Sequence, residues 1–223
     1  WLLDALSEAA LPAIRVAAPP PDLARELFRL AERYSKLAPG ALARAAALPL
    51  LAETAAALLA AEVAAEVAAA AAGFLEGVAR AARFGRPPQA RERIASLLGG
   101  DAGRHVVAAL LSGARGATPL DVVPRVADIL GPLLHAPGWG GGAAAAWAHA
   151  ALASIPMREG VPDEASRAAL LRSIVETPDC AGGGAIQLAE LSTLREALVE
   201  FARVCRRLRS KADIEYAAYE WKG

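Results

Sequence analysis

The stretch AEVAAEVAAAAAGFLEGV, residues 61–78, decides how the chain folds. Alanine dominates it, which leaves three readings: compositional filler, a membrane span, or one face of a packed helix. Glu62, Glu66 and Glu76 interrupt the run well short of the roughly 18 uncharged apolar residues that a span requires. Alanine is the best helix former and loses no side-chain entropy on folding. Ala68, Ala71 and Ala72 are small enough to let helices approach closely, while Phe74, Leu75 and Val78 fill the gap between layers. The stretch therefore reads as a packed helix.

The rest of the chain has the same character. About a quarter of its 223 residues are alanine, and it has no asparagine and far more arginine than lysine. A GC-rich coding background accounts for much of that bias. Valine, isoleucine, threonine and aromatic residues are sparse, so a large sheet is not expected. The length allows one or two domains with a sizeable core. With 24 basic and 24 acidic residues, the net charge is zero. Bulk attraction to nucleic acid or anionic lipid is therefore not expected. Cys180 and Cys205 lie too far apart in sequence for a metal knuckle or redox pair, and a reducing compartment is the default. A charge-free run at 129–157 holds Pro132, Pro137, GWGGG and two histidines, which are loop signals rather than a span. The chain opens at Trp1 without a signal-peptide pattern, and reads as a piece of something longer.

Proline and glycine clusters cut the sequence into helical blocks. WLLDALSEAALPAIRVA comes first, with Pro12 a kink or end-turn residue. Asp22 is the expected N-cap of LARELFRLAERYSKL, whose Leu23, Leu27, Leu30, Ala31 and Tyr34 share one face. After APG, ALARAAALPLLAETAAALLA is expected as a helix, followed by the opening stretch. RERIASLL and RHVVAALLSGARG come next. Thr118 is expected to cap TPLDVVPRVADILGPLL, with Pro119 in its first turn. AAAAWAHAALASI closes at Pro156, Asp163 caps DEASRAALLRSIVE, and a long last helix runs through IQLAELSTLREALVEFARVCRRLR. Paired, these helices recur every 40 to 60 residues or so, near or above the 40 to 47 of HEAT-like repeats. One hairpin cannot bury its apolar face alone, so stacking into an all-α superhelix, or solenoid, is expected. A plain bundle is the alternative.

Residues 48–78, LPLLAETAAALLAAEVAAEVAAAAAGFLEGV, resemble a HEAT repeat: an A helix from LPLL, a break, and a B helix of the form V-x-x-A-A-x-x-F-L. The second half is similar to the C-terminal end of the transportin-3 and importin-13 branch of the importin-β family. That branch ends with a Leu-Pro-Asp-Val-like segment, a tryptophan-bearing helix closed by a Leu-Pro turn, and a last helix finishing in alternating arginine and apolar residues. The corresponding residues are Pro119–Val122, Trp147–Pro156 and Leu194–Arg207, in matching order over about the last 110 residues. The GWGGG and CAGGGA loops look expanded, and the tail has no counterpart in the family. The family's closely spaced arginine row for phosphorylated arginine-serine cargo is not evident here.

The resemblance implies a HEAT-repeat solenoid over residues 1–209 with a tail at 210–223, forming the C-terminal part of a nuclear transport receptor. It implies protein cargo bound on a concave surface of B helices, and contact with nuclear pore proteins. Cargo release would be controlled by the small GTPase Ran through an N-terminal arch outside these residues. It also implies no reaction, no cofactor, no direct nucleic acid contact, no membrane insertion, and shuttling between nucleus and cytoplasm. A HEAT scaffold of a cytosolic assembly, without Ran control, is the alternative.

Catalytic chemistry finds little footing. His105, His135 and His149 fall in separate blocks without the spacing of a zinc helix. Ser112 lacks the strand-turn-helix context of a nucleophile elbow. The glycine-rich loops follow no strand and carry no phosphate-cradling lysine. Two basic clusters remain. Arg80, Arg83, Arg86, Arg91 and Arg93 surround RPPQ; Arg203, Arg206, Arg207 and Arg209, with Lys211, close the last helix. Helix-dipole pairing accounts for such cations at helix C-termini. Docking of acidic or phosphorylated cargo segments is the functional alternative, and Arg203, Arg206, Arg207 and Arg209 are its candidate residues.

Overall fold

A computed structural model describes residues 2–16, 19–136, 142–156, 162–177 and 191–208. Among them are eleven helices and no strand, so the all-α expectation holds. The helices are α1 (Leu2–Ile14), α2 (Pro21–Leu37), α3 (Pro39–Leu42), α4 (Leu48–Leu59), α5 (Ala65–Phe84) and α6 (Pro88–Leu97). They continue as α7 (Gly100–Arg115), α8 (Val123–Leu134), α9 (Ala143–Ser154), α10 (Glu164–Val175) and α11 (Ser192–Cys205). The GWGGG loop up to Gly141, the whole CAGGGA stretch with its flanks, Arg209 and the tail lie outside the described residues.

The alanine-rich stretch is α5 and the centre of the fold. The helix begins at Ala65 rather than Ala61, leaving Glu62 in the preceding turn and Glu66 in the first turn, where a negative charge suits the helix dipole. Thirteen of its twenty residues are buried, the pattern of a helix covered on several sides. Ala68, Ala71, Ala72, Phe74, Leu75 and Val78 are all buried, as expected, and Phe74 meets Phe28 of α2 with ring centroids 5.8 Å apart. The closest approach comes from glycine instead of alanine. A Cβ at Gly73 would lie 2.9 Å from the Glu32 carboxyl carbon, and one at Gly77 would lie 3.0 Å from Ser35 Cβ and closer still to its hydroxyl.

The helices pack in two rows. In one, α1 meets α4, α4 meets α7 and α7 meets α9; in the other, α2 meets α5, α5 meets α8 and α8 meets α11. Contacts also join α1 to α2, α4 to α5 and α7 to α8, while α10 packs on both α9 and α11. The short α3 and α6 touch each other and lean on α2 and α5 respectively. Two partly buried ion pairs link consecutive helices of the second row. Arg125 of α8 reaches Glu76 of α5 at 2.5 Å and donates to Ala69 O, and Arg195 of α11 reaches Asp128 of α8 at 2.5 Å.

Several sequence expectations change in detail. Asp22 sits in the first turn of α2, 2.9 Å from Arg25, because Pro21 occupies the first helical position and Pro20 the cap. The face of α2 turned to the core is Ala24, Leu27, Phe28, Ala31 and Ser35, whereas Leu23 is exposed and Leu30 and Tyr34 are half-buried. The glycines of α5 explain the rotation, since they admit the Ser35 side of α2. ALARAAALP does not run as one helix: α3 stops at Leu42, and turns lead to α4 at Leu48. Asp163 caps α10 as expected, its carboxylate accepting from Ser166 N–H at 2.8 Å.

Thr118 is the clearest correction. It does not cap α8, which starts five residues later at Val123 with Pro124 in its first turn. The side chain is fully buried, and its hydroxyl donates to Leu59 O in the last turn of α4 at 2.6 Å. Helix C-termini leave such carbonyls without intrahelical partners. Gly113 makes room for this bond: a Cβ there would collide with Leu59 O and lie 2.6 Å from Thr118 Oγ1.

Gly113→Ala is therefore expected to lower stability by about 1–3 kcal/mol, despite alanine's better helix propensity. Gly40→Ala, whose added Cβ would meet only Arg44 at 3.9 Å, should leave stability unchanged or slightly raised. Urea unfolding of both variants checks the contrast.

Candidate protein-binding surface

The terminal arginines divide by burial. Arg203 is half-buried in the last turn of α11. Arg206 turns inward: its guanidinium donates to Thr118 O and, at 3.4 Å, to Ala114 O near the end of α7. It thus serves the C-terminus of a neighbouring helix, and burial lowers its pKa from the usual guanidinium value. Its Nε is buried without a hydrogen-bond partner. Arg207 is exposed and adopts a left-handed backbone with φ 55°, which turns the chain at the end of α11. Of the three described, Arg206 is committed internally; Arg209 lies outside the described residues.

The second basic cluster lies at and just beyond the C-terminal end of α5. Between α2 and the C-terminal half of α5 runs a groove of about 450 Å³, with Pro39, Ala81 and Phe84 among its apolar lining and Lys36, Arg80 and Arg86 among its cations. Glu76 also faces it, but that carboxylate is held by Arg125. Lys36 is neutralised by Glu32 at 2.6 Å. Arg80 and Arg86 are exposed and have no carboxylate partner among the described residues. Arg83 lies over the Phe84 ring at 5.7 Å from its centroid. Arg91 is half-buried near Glu92, and Arg93 is exposed. The groove thus combines apolar lining from Pro39, Ala81 and Phe84 with two uncompensated cations.

Two other cavities lie along the first row. One of about 640 Å³ separates α1 from the start of α4, with Leu11 and Leu50 in its wall. Asp4 spans it by accepting from Ala47 N–H at 3.0 Å, which holds the carboxyl below its ordinary pKa. Ser7 lines the same cavity, fully buried, with its hydroxyl unpartnered. The other, of about 450 Å³, contains His105 and Glu53 3.2 Å apart. That pair joins α7 to α4 across 52 positions of sequence, and no local motif announces it.

The remaining candidates lie apart. His135 bonds to Thr177 O at 3.1 Å, His149 is exposed on α9, and Ser112 is exposed within α7. Among the described residues, no group of three His, Cys, Asp or Glu side chains is placed to hold a metal ion. Burial pushes the Cys205 thiol up to about 11, so it carries no thiolate at neutral pH. No single helix among the described residues is long and apolar enough to cross a membrane.

With these features, the described residues form an all-helical protein with two exposed, unpaired arginines beside a partly apolar groove. No known protein-family model matches it. No curated protein matches it either.

The two neighbouring terminal arginines should behave oppositely. Arg206→Ala is expected to cost about 1.5–3 kcal/mol, because carbonyls at the α7 terminus lose a charged donor. Arg207→Glu should stay within about 0.5 kcal/mol of the parent. Thermal and urea unfolding of the two variants, side by side, test that separation.

Proposed function

We propose that this chain is the cargo-side, C-terminal part of a nuclear transport receptor, built as an α-α solenoid of HEAT-like hairpins. The observation that carries the architectural part is the pair of rows. Eight of the eleven described helices form them, α2 to α5 to α8 to α11 and α1 to α4 to α7 to α9. Stacking of that kind lets small rotations between neighbours add up along the molecule, which suits a protein that closes on cargo and releases it. The transport reading itself rests on the ordered resemblance of Pro119–Val122, Trp147–Pro156 and Leu194–Arg207 to the transportin-3 and importin-13 branch.

In this reading the protein catalyses nothing and needs no cofactor. It carries protein cargo between cytoplasm and nucleus, and Ran acts through a region outside these residues. The groove beside Arg80 and Arg86 is the cargo contact that the charges favour. Two unpaired guanidiniums over an apolar floor suit an acidic segment with an apolar anchor, since arginine binds carboxylate and phosphate with paired donors. Arg203 and Arg207 form a second, smaller contact; Arg206 supports it only by fixing the end of α11.

The test uses the complete gene product containing these residues. Ran loaded with a non-hydrolysable GTP analogue should release bound cargo, and Arg80→Glu/Arg86→Glu should weaken capture roughly tenfold without changing the helical circular dichroism. Cargo binding indifferent to Ran would overturn the transport reading in favour of a static scaffold. Capture undiminished by the double reversal would remove the groove from the cargo surface.

A further inference from the structure

Arg125 and Arg195 each hold a carboxylate from a neighbouring helix. Three other half-buried arginines pair with no carboxylate among the described residues: Arg115 at the end of α7, Arg167 on α10 and Arg206 just past α11. Helix packing brings them to one place, since α11 lies against both α7 and α10. The Arg206 guanidinium reaches Ala114 O, next in sequence to Arg115, at 3.4 Å, and Arg206 itself directly follows Cys205. Arg167 donates to Ile155 O at the end of α9. Burial pushes the Cys205 thiol up to about 11, against the pull of all three guanidiniums. Three positive charges therefore gather round a group that is neutral at pH 7.

Two unmade hydrogen bonds mark the same spot. The Nε–H groups of Arg167 and Arg206 are buried from solvent and have no partner. Each guanidinium spends one side on a carbonyl and leaves Nε over, although it has five donors to place. Native folds leave few buried polar groups in that condition, and those that remain mark places for a water or an ion. Arg206 shows the same deficit in charge. Burial lowers its pKa, and the acidic group that opposes the fall is the Cys205 thiol. Arg125 is the contrast: burial lowers it too, but carboxylates led by Glu76 more than offset the loss.

Capping of helix ends accounts for only part of this. The C-termini of α7, α9 and α11 offer roughly half a negative charge each, against three full positive ones. Capping also leaves out Arg115, whose guanidinium has no hydrogen-bond partner in the fold.

We propose that Arg115, Arg167 and Arg206 form a binding site for a phosphate-class oxyanion, seated beside Cys205 between α7, α10 and α11. A tetrahedral dianion has the charge and the acceptor oxygens to meet three planar donors at once, and guanidinium binds phosphate through paired N–H groups. A carboxylate brings one charge in one plane. There is open space next to Arg115, where a Cβ added to Gly116 would meet nothing within 4 Å. The site is separate from the groove beside Arg80 and Arg86, which lies against α2 and α5, and it does not depend on the transport reading.

Cys205 is the reporter, in the full chain with Cys180→Ser removing the other thiol. A dianion beside the thiol disfavours the thiolate. Inorganic phosphate should therefore slow maleimide labelling at about pH 8.5 saturably, by about threefold or more, while sodium chloride at matched ionic strength leaves the rate unchanged. Arg115→Gln breaks no internal bond, so its helical circular dichroism should match the parent. It should raise the phosphate concentration for half the effect about tenfold, whereas Arg80→Gln should not move it. O-phosphoserine acting at lower concentration than phosphate assigns the anion to a phosphorylated side chain, and the reverse order assigns it to free phosphate. Labelling indifferent to both anions, or an Arg115→Gln response equal to the parent's, would overturn the proposal.

Discussion

The C-termini of α4 and α7 meet at one threonine, where Arg206 from just past α11 joins them, and the spacing of the helices depends on how those carbonyls are satisfied. The final turns of α-helices leave carbonyl groups with no intrahelical partner, and burying them unpaired is costly. At the centre of this fold the Thr118 hydroxyl takes the Leu59 carbonyl at the end of α4. The Thr118 N–H returns to Gly113 O near the end of α7, and Arg206, just past α11, closes the group by donating to Thr118 O and Ala114 O. The bonds work together only because Gly113 has no side chain to hold α4 and α7 apart. One buried polar knot thus sets the spacing of α4 and α7 in the first row and ties α11 of the second row to it.

Much of the fold was legible from residue types. The alanine-rich central helix, the Asp163 cap and the tryptophan-bearing α9 closed before Pro156 all follow from local chemistry, whereas the LPLL start of α4 came only with the HEAT resemblance. The face of α2 was not legible, for a physical reason: about half its circumference is apolar, and periodicity cannot say which half the neighbour covers. The selecting residues, Gly73 and Gly77, lie some forty positions further on. Thr118 was misread for a similar reason. Threonine before proline is a good helix start locally, but a buried hydroxyl answers to the nearest unpaired carbonyl, here 59 positions away.

The candidate surface was legible only as a list of arginines. Composition gives a net charge of zero, yet the balance is uneven in space. Arg125 and Arg195 each take a carboxylate from an adjacent helix and leave the surface electrostatics almost untouched. Arg206 spends its donors on backbone carbonyls. Arg80 and Arg86 are among the cations left without a carboxylate, and they stand beside a groove lined in part by Pro39, Ala81 and Phe84, a distinction made by partners that sequence proximity does not reveal. Burial and pairing, rather than the number of cations, separate a surface that attracts a partner from one that braces the fold.

The two rows also differ in what fastens them. From α5 to α8 to α11, each step carries a direct, partly buried ion pair in addition to its apolar contacts. The opposite row has cavities at its first two steps, bridged by the Asp4–Ala47 bond and the exposed His105–Glu53 pair. Only the α4–α7 step of that row has a buried polar tie as well, the Thr118–Leu59 bond, so the α1–α4 step is the more lightly fastened joint.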